Sequence, residues 1–349
     1  MSVSRVGAER PRHSSSDPGD QPRPETRIRT ESARSTRAVQ HLVHRSGSPA
    51  ARAARRSPNA EAIAALRRPS AGVVLRRLDA FRESFAGPYR IDGESARVDP
   101  QFRMNGGYGT NPDEALERAS AALPPAVLAR LRTAIRLTAT GKAEPRMLVT
   151  VTQALIDAGA HHEFGEGASA VRKMMWKYGI GVDCSGYCRR AFLASRGVSE
   201  ASGRARYGIG RSVDGFDPDQ LRAFRRVKPL GVRAGDMGKL GTGRDTHKVI
   251  VASHDVFPTT QRSVDVPGHG TLPAAFRGQG RVHVYQVDSS WGAGPHGNPH
   301  GGVGRRVWVY SESSGLWGSY DSGSGKLETS PKGPYGYELN GFFRPRSED

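Results

Sequence analysis

Between Ala60 and Ala158 the apolar residues of this chain recur at helical intervals, whereas beyond Lys248 they crowd into short runs rich in Val and aromatics and bounded by Gly or Pro. The first pattern runs through Ile63, Leu66, Val74, Leu75, Leu78 and Phe81, with a break near Pro69. It resumes after Asn111-Pro112-Asp113-Glu114, which reads as a helix cap, continues through Val127, Leu128, Leu131, Ile135 and Leu137, and ends with Leu148, Val151, Leu155 and Ile156 in a helix over 147–158. A further helix is expected over 182–195. Strands are expected over 248–253, 281–288 and 305–310. Helices first and several strands afterwards is the order of an α+β fold.

Residues 1–58 have a different character. They are rich in Arg, Ser and Pro and carry almost no aromatic side chain that could anchor a core, so a disordered tail is expected there. Its arginines, among them Arg27, Arg29, Arg34 and Arg37, alternate with Asp and Glu rather than with aromatics, which argues against a base-stacking nucleic-acid segment. A solvated tail and a loading or targeting tail both fit this composition. The resulting organisation is a tail over 1–58, a helical linker or accessory segment over 59–145, and a folded domain over 146–349.

The charge of +18 and a pI near 10.5 predict attraction to polyanions without selecting among nucleic acid, an anionic membrane surface and an anionic wall polymer. No apolar run approaches the roughly 20 residues needed to cross a bilayer, and no signal-peptide core follows Met1. A soluble chain, cytoplasmic as made, is therefore expected, with any export by a route other than Sec.

There are two cysteines, Cys184 and Cys188, one helical turn apart, a spacing unsuited to a disulfide. No CxxC, HxxxH or HExxH spacing occurs, so neither a metal nor any other cofactor is expected. The adjacent pair His161-His162 is read as a solvated pair whose rings diverge.

The segment Gly179-Ile180-Gly181-Val182-Asp183-Cys184-Ser185-Gly186 places Cys184 at the first turn of a helix, behind Asp183 as cap. A helix N-terminus favours a thiolate and offers N–H groups to an oxyanion. Cys188, one turn deeper, reads as buried filler.

Asp183-Cys184-Ser185-Gly186 opening a helix, then Arg233-Ala234-Gly235-Asp236-Met237, then His247 in Asp245-Thr246-His247-Lys248-Val249-Ile250-Val251, and then a strand carrying a polar residue, together resemble the NlpC/p60-like cell-wall endopeptidase superfamily of papain-like cysteine hydrolases. The resemblance covers about residues 147–309. It implies a papain-like fold with Cys184 as nucleophile, His247 as base, and Asp288 as the residue that orients the imidazole, with Gln286 in reserve on the same strand face. Asp183, Ser185, Trp176 and Tyr178 are the expected substrate-binding residues. Family members carry a longer aromatic segment before the cysteine than Trp176-Lys177-Tyr178-Gly179, and the connection 255–280 and the Gly-rich stretch 292–304 are extended here.

The implied activity is cleavage of an amide bond in peptidoglycan stem peptides through a thioester. Two alternatives stand beside it. One is a secreted or injected effector that uses the same thiol chemistry on another target and is loaded into its apparatus through the N-terminal tail. The other is a noncatalytic polyanion-binding protein. The aromatics Trp308, Trp317, Tyr320, Tyr335, Tyr337, Phe342 and Phe343 are expected to complete the sheet rather than to stack on sugar.

Overall fold

The computed structural model describes residues 69–103, 111–210, 216–241, 246–258, 264–273, 276, 280–292, 301–320 and 325–348. The expected disordered tail lies outside the described residues. The described residues fall in one compact unit.

The first half is helical: α1 (Ala71–Glu83), a hairpin of β1 (Tyr89–Ile91) and β2 (Glu94–Ala96), a short β3 (Gln101–Phe102), then α2 (Pro112–Ala122), α3 (Pro125–Ala139), α4 (Pro145–Asp157) and α5 (Gly167–Lys177). Pro112, Pro125 and Pro145 each occupy a first helical position, where the missing N–H would have no intrahelical partner in any case. Asn111 caps α2 by accepting from the Asp113 N–H at 2.9 Å. After β4 (Gly181–Val182) come α6 (Cys184–Arg196) and α7 (Glu200–Tyr207). Helix α6 stops at Gly197, whose φ of 65° suits a left-handed cap.

The remaining strands are β5 (Phe224–Val227), β6 (Met237–Leu240), β7 (His247–Pro258), β8 (Asp265–Val266), β9 (Gly270–Thr271), β10 (Arg281–Trp291), β11 (Gly302–Ser311), β12 (Trp317–Tyr320), β13 (Leu327–Ser330) and β14 (Leu339–Pro345). Eight of them form one antiparallel sheet in the order β13-β12-β11-β10-β7-β6-β14-β5. The mixed α+β class follows directly. The C-terminal strand β14 is inserted between β6 and β5, and the fork of Arg344 on the buried Asp236 carboxylate, at 2.7 and 2.9 Å, fastens it there.

Alternation along β7 divides the core. Ile250 and Ala252 join the helices in one cluster with Leu78, Tyr187, Cys188 and Phe192, whereas Val249 and Val251 join Tyr285, Trp291, Trp308 and Phe342 on the other face. Each fully buried side chain of this size contributes about 1.5–3 kcal/mol, so α6, which buries Tyr187, Phe192 and Leu193, is anchored firmly on β7 and β10. The segment 71–143 contributes Val74, Leu78, Leu131 and Ile135 to the same core. The C-terminal aromatics Trp317, Tyr320, Phe342 and Phe343 are buried in the sheet's cores, and Tyr337 is exposed.

Candidate functional site around Cys184

Strand β4 pairs in parallel with β3 and brings Asp183 to the N-cap of α6. The Asp183 carboxylate accepts from the Gly186 N–H and from the Lys142 ammonium, and the Asp183 N–H donates to the Gly141 carbonyl at 3.1 Å. This packing explains two glycines. A side chain on Gly141, at φ 74°, would lie 2.2 Å from the Arg103 carbonyl, and one on Gly186 would lie 2.6 Å from the Gly141 carbonyl and 2.7 Å from Asp183 Oδ1. Gly186→Ala is therefore expected to destabilise the protein by about 1–3 kcal/mol, the usual range for overpacking, measurable as a lower urea midpoint. An unchanged midpoint would mean that the turn has room.

Cys184 itself is 5% exposed. Its Sγ lies 4.0 Å from the Thr246 carbonyl, one residue before His247. Burial raises the thiol pKa, as does the Asp183 charge, while Lys248, the Lys248 main chain and Lys142 pull it down. Burial wins, so the group is held as a thiol. Alkylation of Cys184 by iodoacetamide, followed by peptide mass spectrometry, should accelerate up through the alkaline range without levelling off near neutrality. Cys188, fully buried with Sγ donating to the Lys248 carbonyl at 3.0 Å, should stay unmodified in the folded chain.

His247 opens β7 beside the sulfur, but its ring does not reach it. Among the described residues no imidazole hydrogen-bonds Cys184 Sγ. The cause is strand alternation. Lys248 and Ile250 point toward α6, and His247 shares the parity of Val249 and Val251. Its ring packs on Trp291, centroids 4.8 Å apart, with the Arg306 guanidinium 4.5 Å from the other ring of that stack. Burial foremost, and then the Arg306 and Lys248 charges, lower its pKa to about 3, and Nε2 is buried without a hydrogen-bond partner. The imidazole is thus neutral in the fold. An unfolded chain takes up that proton below about pH 6.5, so stability should fall as pH drops from there toward 3, by at most about 1.4 kcal/mol per pH unit from this group. His247→Phe keeps a ring on Trp291 and should flatten that limb in denaturant titrations at pH 7 and 4.5. An identical slope in the variant would assign it to other groups.

The structure does not bring Asp288 to His247. Asp288 pairs across the sheet with Ile250, three residues further along β7, or about 10 Å at strand rise. Its carboxylate is fully buried and held by Arg305 at 2.7 and 2.8 Å and by Arg82 at 3.5 Å, and Asp79 on α1 completes the cluster through Arg305 at 2.9 Å. Burial raises the Asp288 pKa, and the Arg305 hydrogen bond and charge oppose it. Gln286 lies farther still, opposite Ser253. Continuing the register puts Trp291 across from His247, in line with their ring contact.

Trp176 lies under the Arg103 guanidinium at 3.8 Å, Tyr178 is buried, and Ser185 is half-buried beside Cys184. His254 and His283 are tied into a separate chain: His254 contacts the Val232 carbonyl at 2.7 Å and His283 at 2.8 Å, and His283 contacts Glu312 at 2.7 Å. Of the two extended loops, residues 259–263, 274–275, 277–279 and 293–300 lie outside the described residues, and Val264, Val266, Leu272 and Phe276 pack beneath one end of the sheet.

Sequence reasoning missed three things. Lys142 and Lys248, whose charges act on the sulfur, carry no motif signal. Trp291 was visible only as a strand end. His161 and His162 do not diverge: their rings lie 4.0 Å apart, because they occupy the turn between α4 and a short 3-10 helix rather than a regular helix or strand. Comparisons with protein families, with curated proteins and with solved structures found no match to this chain.

Proposed function

We propose that the chain is a papain-like cysteine hydrolase of the NlpC/p60 type that cleaves an amide bond, with Cys184 as nucleophile, His247 as base and the peptide stems of peptidoglycan as substrate. The observation that carries this reading is the placement of Cys184 at the capped N-terminus of a buried helix, with its sulfur against the residue that precedes His247. The unpartnered Nε2 of His247 supports it, since a buried polar atom without a partner asks for an explanation.

In this reading the described arrangement is a resting one. A backbone change at the first residue of β7 that turns His247 off Trp291 onto the α6 side lets the imidazole take the thiol proton. The sulfur attacks the amide carbonyl, the oxyanion is met by the first-turn N–H groups of Cys184 and Ser185, the C–N bond breaks as the imidazolium protonates the leaving amine, and water activated by His247 hydrolyses the thioester. Lys142 and Lys248 favour the thiolate at that moment. With Asp288 engaged by two guanidinium groups, the chemistry rests on a dyad. The charge of +18 concentrates the protein on an anionic wall polymer.

The buried thiol, which no imidazole among the described residues hydrogen-bonds, favours a second reading, a noncatalytic polyanion binder on a hydrolase-like scaffold. Mass-spectrometric mapping of fragments from purified peptidoglycan decides between them. Stem-peptide products made by the parent and lost in both Cys184→Ala and His247→Ala support the hydrolase. Absence of products, with salt-sensitive retention unchanged in Cys184→Ala, supports the binder. Modification of a cytosolic protein without wall cleavage would move the same chemistry to an effector.

A further inference from the structure

We infer that Asp92, His161 and His162 form a binding site for one divalent transition-metal ion of the zinc class, at the junction of the β1–β2 hairpin and the end of α4. The three donor atoms lie within 4.8 Å of one another. Asp92 Oδ1 is 3.1 Å from His161 Nε2 and 3.7 Å from His162 Nε2. Zinc–nitrogen and zinc–oxygen bonds of about 2.0–2.2 Å in tetrahedral geometry set ligand atoms about 3.4 Å apart, and the two observed separations bracket that value.

Hydrogen bonding alone does not account for the geometry. A hydrogen bond to Asp92 satisfies Nε2 of the buried His161, yet the exposed His162 turns its Nε2 toward the same carboxylate oxygen from beyond hydrogen-bond range. Two imidazoles aimed at one oxygen are what a shared cation between them would arrange. His161 Nδ1 is buried and has no hydrogen-bond partner, so the ring's polar contact runs through Nε2 to Asp92.

Both arms of the site are preset by the backbone. Asp92 and Gly93, at φ 52° and 89°, make the tight turn of the hairpin, a conformation that Asp tolerates. Gly159, at φ 75°, ends α4 and lets the chain double back so that the His162 N–H bonds the Gly159 carbonyl at 3.1 Å. Gln153 on α4 clamps the hairpin by accepting from the Arg90 N–H at 2.9 Å and donating to the Arg90 carbonyl at 3.0 Å. The ligands therefore meet without a loop having to close.

The donor set selects the metal. Two imidazoles and one carboxylate suit Zn²⁺, Co²⁺, Ni²⁺ or Cu²⁺ better than Mg²⁺ or Ca²⁺, which prefer oxygen. Three protein ligands leave a fourth position for water, and the site opens into a cavity of about 390 Å³ that Arg90 and Asp157 also line.

The test uses the full chain stripped with a chelator and desalted, titrated with Zn²⁺ by calorimetry and with Co²⁺ by visible absorption. One ion per chain is expected, with a micromolar or tighter Kd, a rise in melting temperature on Zn²⁺ addition, and the intense visible bands of four-coordinate Co²⁺. His162→Ala alters an exposed ring, and Asp92→Asn keeps a residue that accepts the turn, so both should fold. Each should weaken binding at least about tenfold and abolish the Co²⁺ bands. Because the chain has 11 histidines, His254→Ala serves as the control that should leave binding intact. Failure of the parent to bind stoichiometrically, or equal binding by the parent and both folded variants, overturns the site.

Discussion

On the proposed hydrolase reading, Cys184→Ala should lower amide-bond turnover by at least about 10³-fold while leaving the fold intact. A nucleophile that forms a covalent intermediate has no substitute in its own site, which is why losses of this size or larger follow its removal. The structural cost should be small. The sulfur is 5% exposed and its contact with the Thr246 carbonyl is long, and Asp183, Gly186 and Lys142 hold the helix start without it. The measurement is fragment release from purified peptidoglycan by parent and variant at matched concentration, with far-UV circular dichroism to confirm folding. His247→Ala should reproduce the loss. Activity retained by Cys184→Ala would end the thiol mechanism, and activity retained by His247→Ala would transfer the base to another group near the sulfur.

Asp288→Ala should destabilise the protein by about 3–5 kcal/mol, the range for stranding the partners of a buried ion pair. The variant leaves Arg305 and Arg82 facing each other around an empty position, with Asp79 alone to balance them. Because Asp79 and Arg82 lie on α1, Asp288 on β10 and Arg305 on β11, the damage should reach the attachment of α1 to the sheet. Urea denaturation followed by tryptophan fluorescence checks the magnitude, and faster amide hydrogen exchange in α1 checks the location. The opposite result, normal stability with a large loss of turnover, would return Asp288 to the role of orienting His247.

Much of the local architecture was legible in the chain. The cap signal at Asn111-Pro112-Asp113-Glu114 and apolar spacing on one side marked α2, α3 and α4 to within a few residues. The Val-rich runs marked β7, β10 and β11, although each strand extends beyond the expected bounds. The place of β14 between β6 and β5 was not legible, because antiparallel pairing across a separation of about a hundred residues leaves no periodic trace. The separation of Asp288 from His247 was not legible for a related reason. The face Asp288 occupies on β10 was readable, but the residue's partner across the sheet depends on register, and register set Ile250 and Arg305 against it.

The chain by itself determined that Cys184 starts a helix: Asp183 can cap, the glycines admit the tight approach, and the apolar residues beyond bury, all of which are local properties of backbone and side chain. Only the tertiary structure decided what surrounds the sulfur. Strand parity turned His247 to Trp291, burial kept the thiol protonated, and two lysines distant in sequence brought their charges to bear on it. Distances between groups far apart along the chain are set by how helices and strands pack, and a residue's type carries no record of which neighbour that packing will supply.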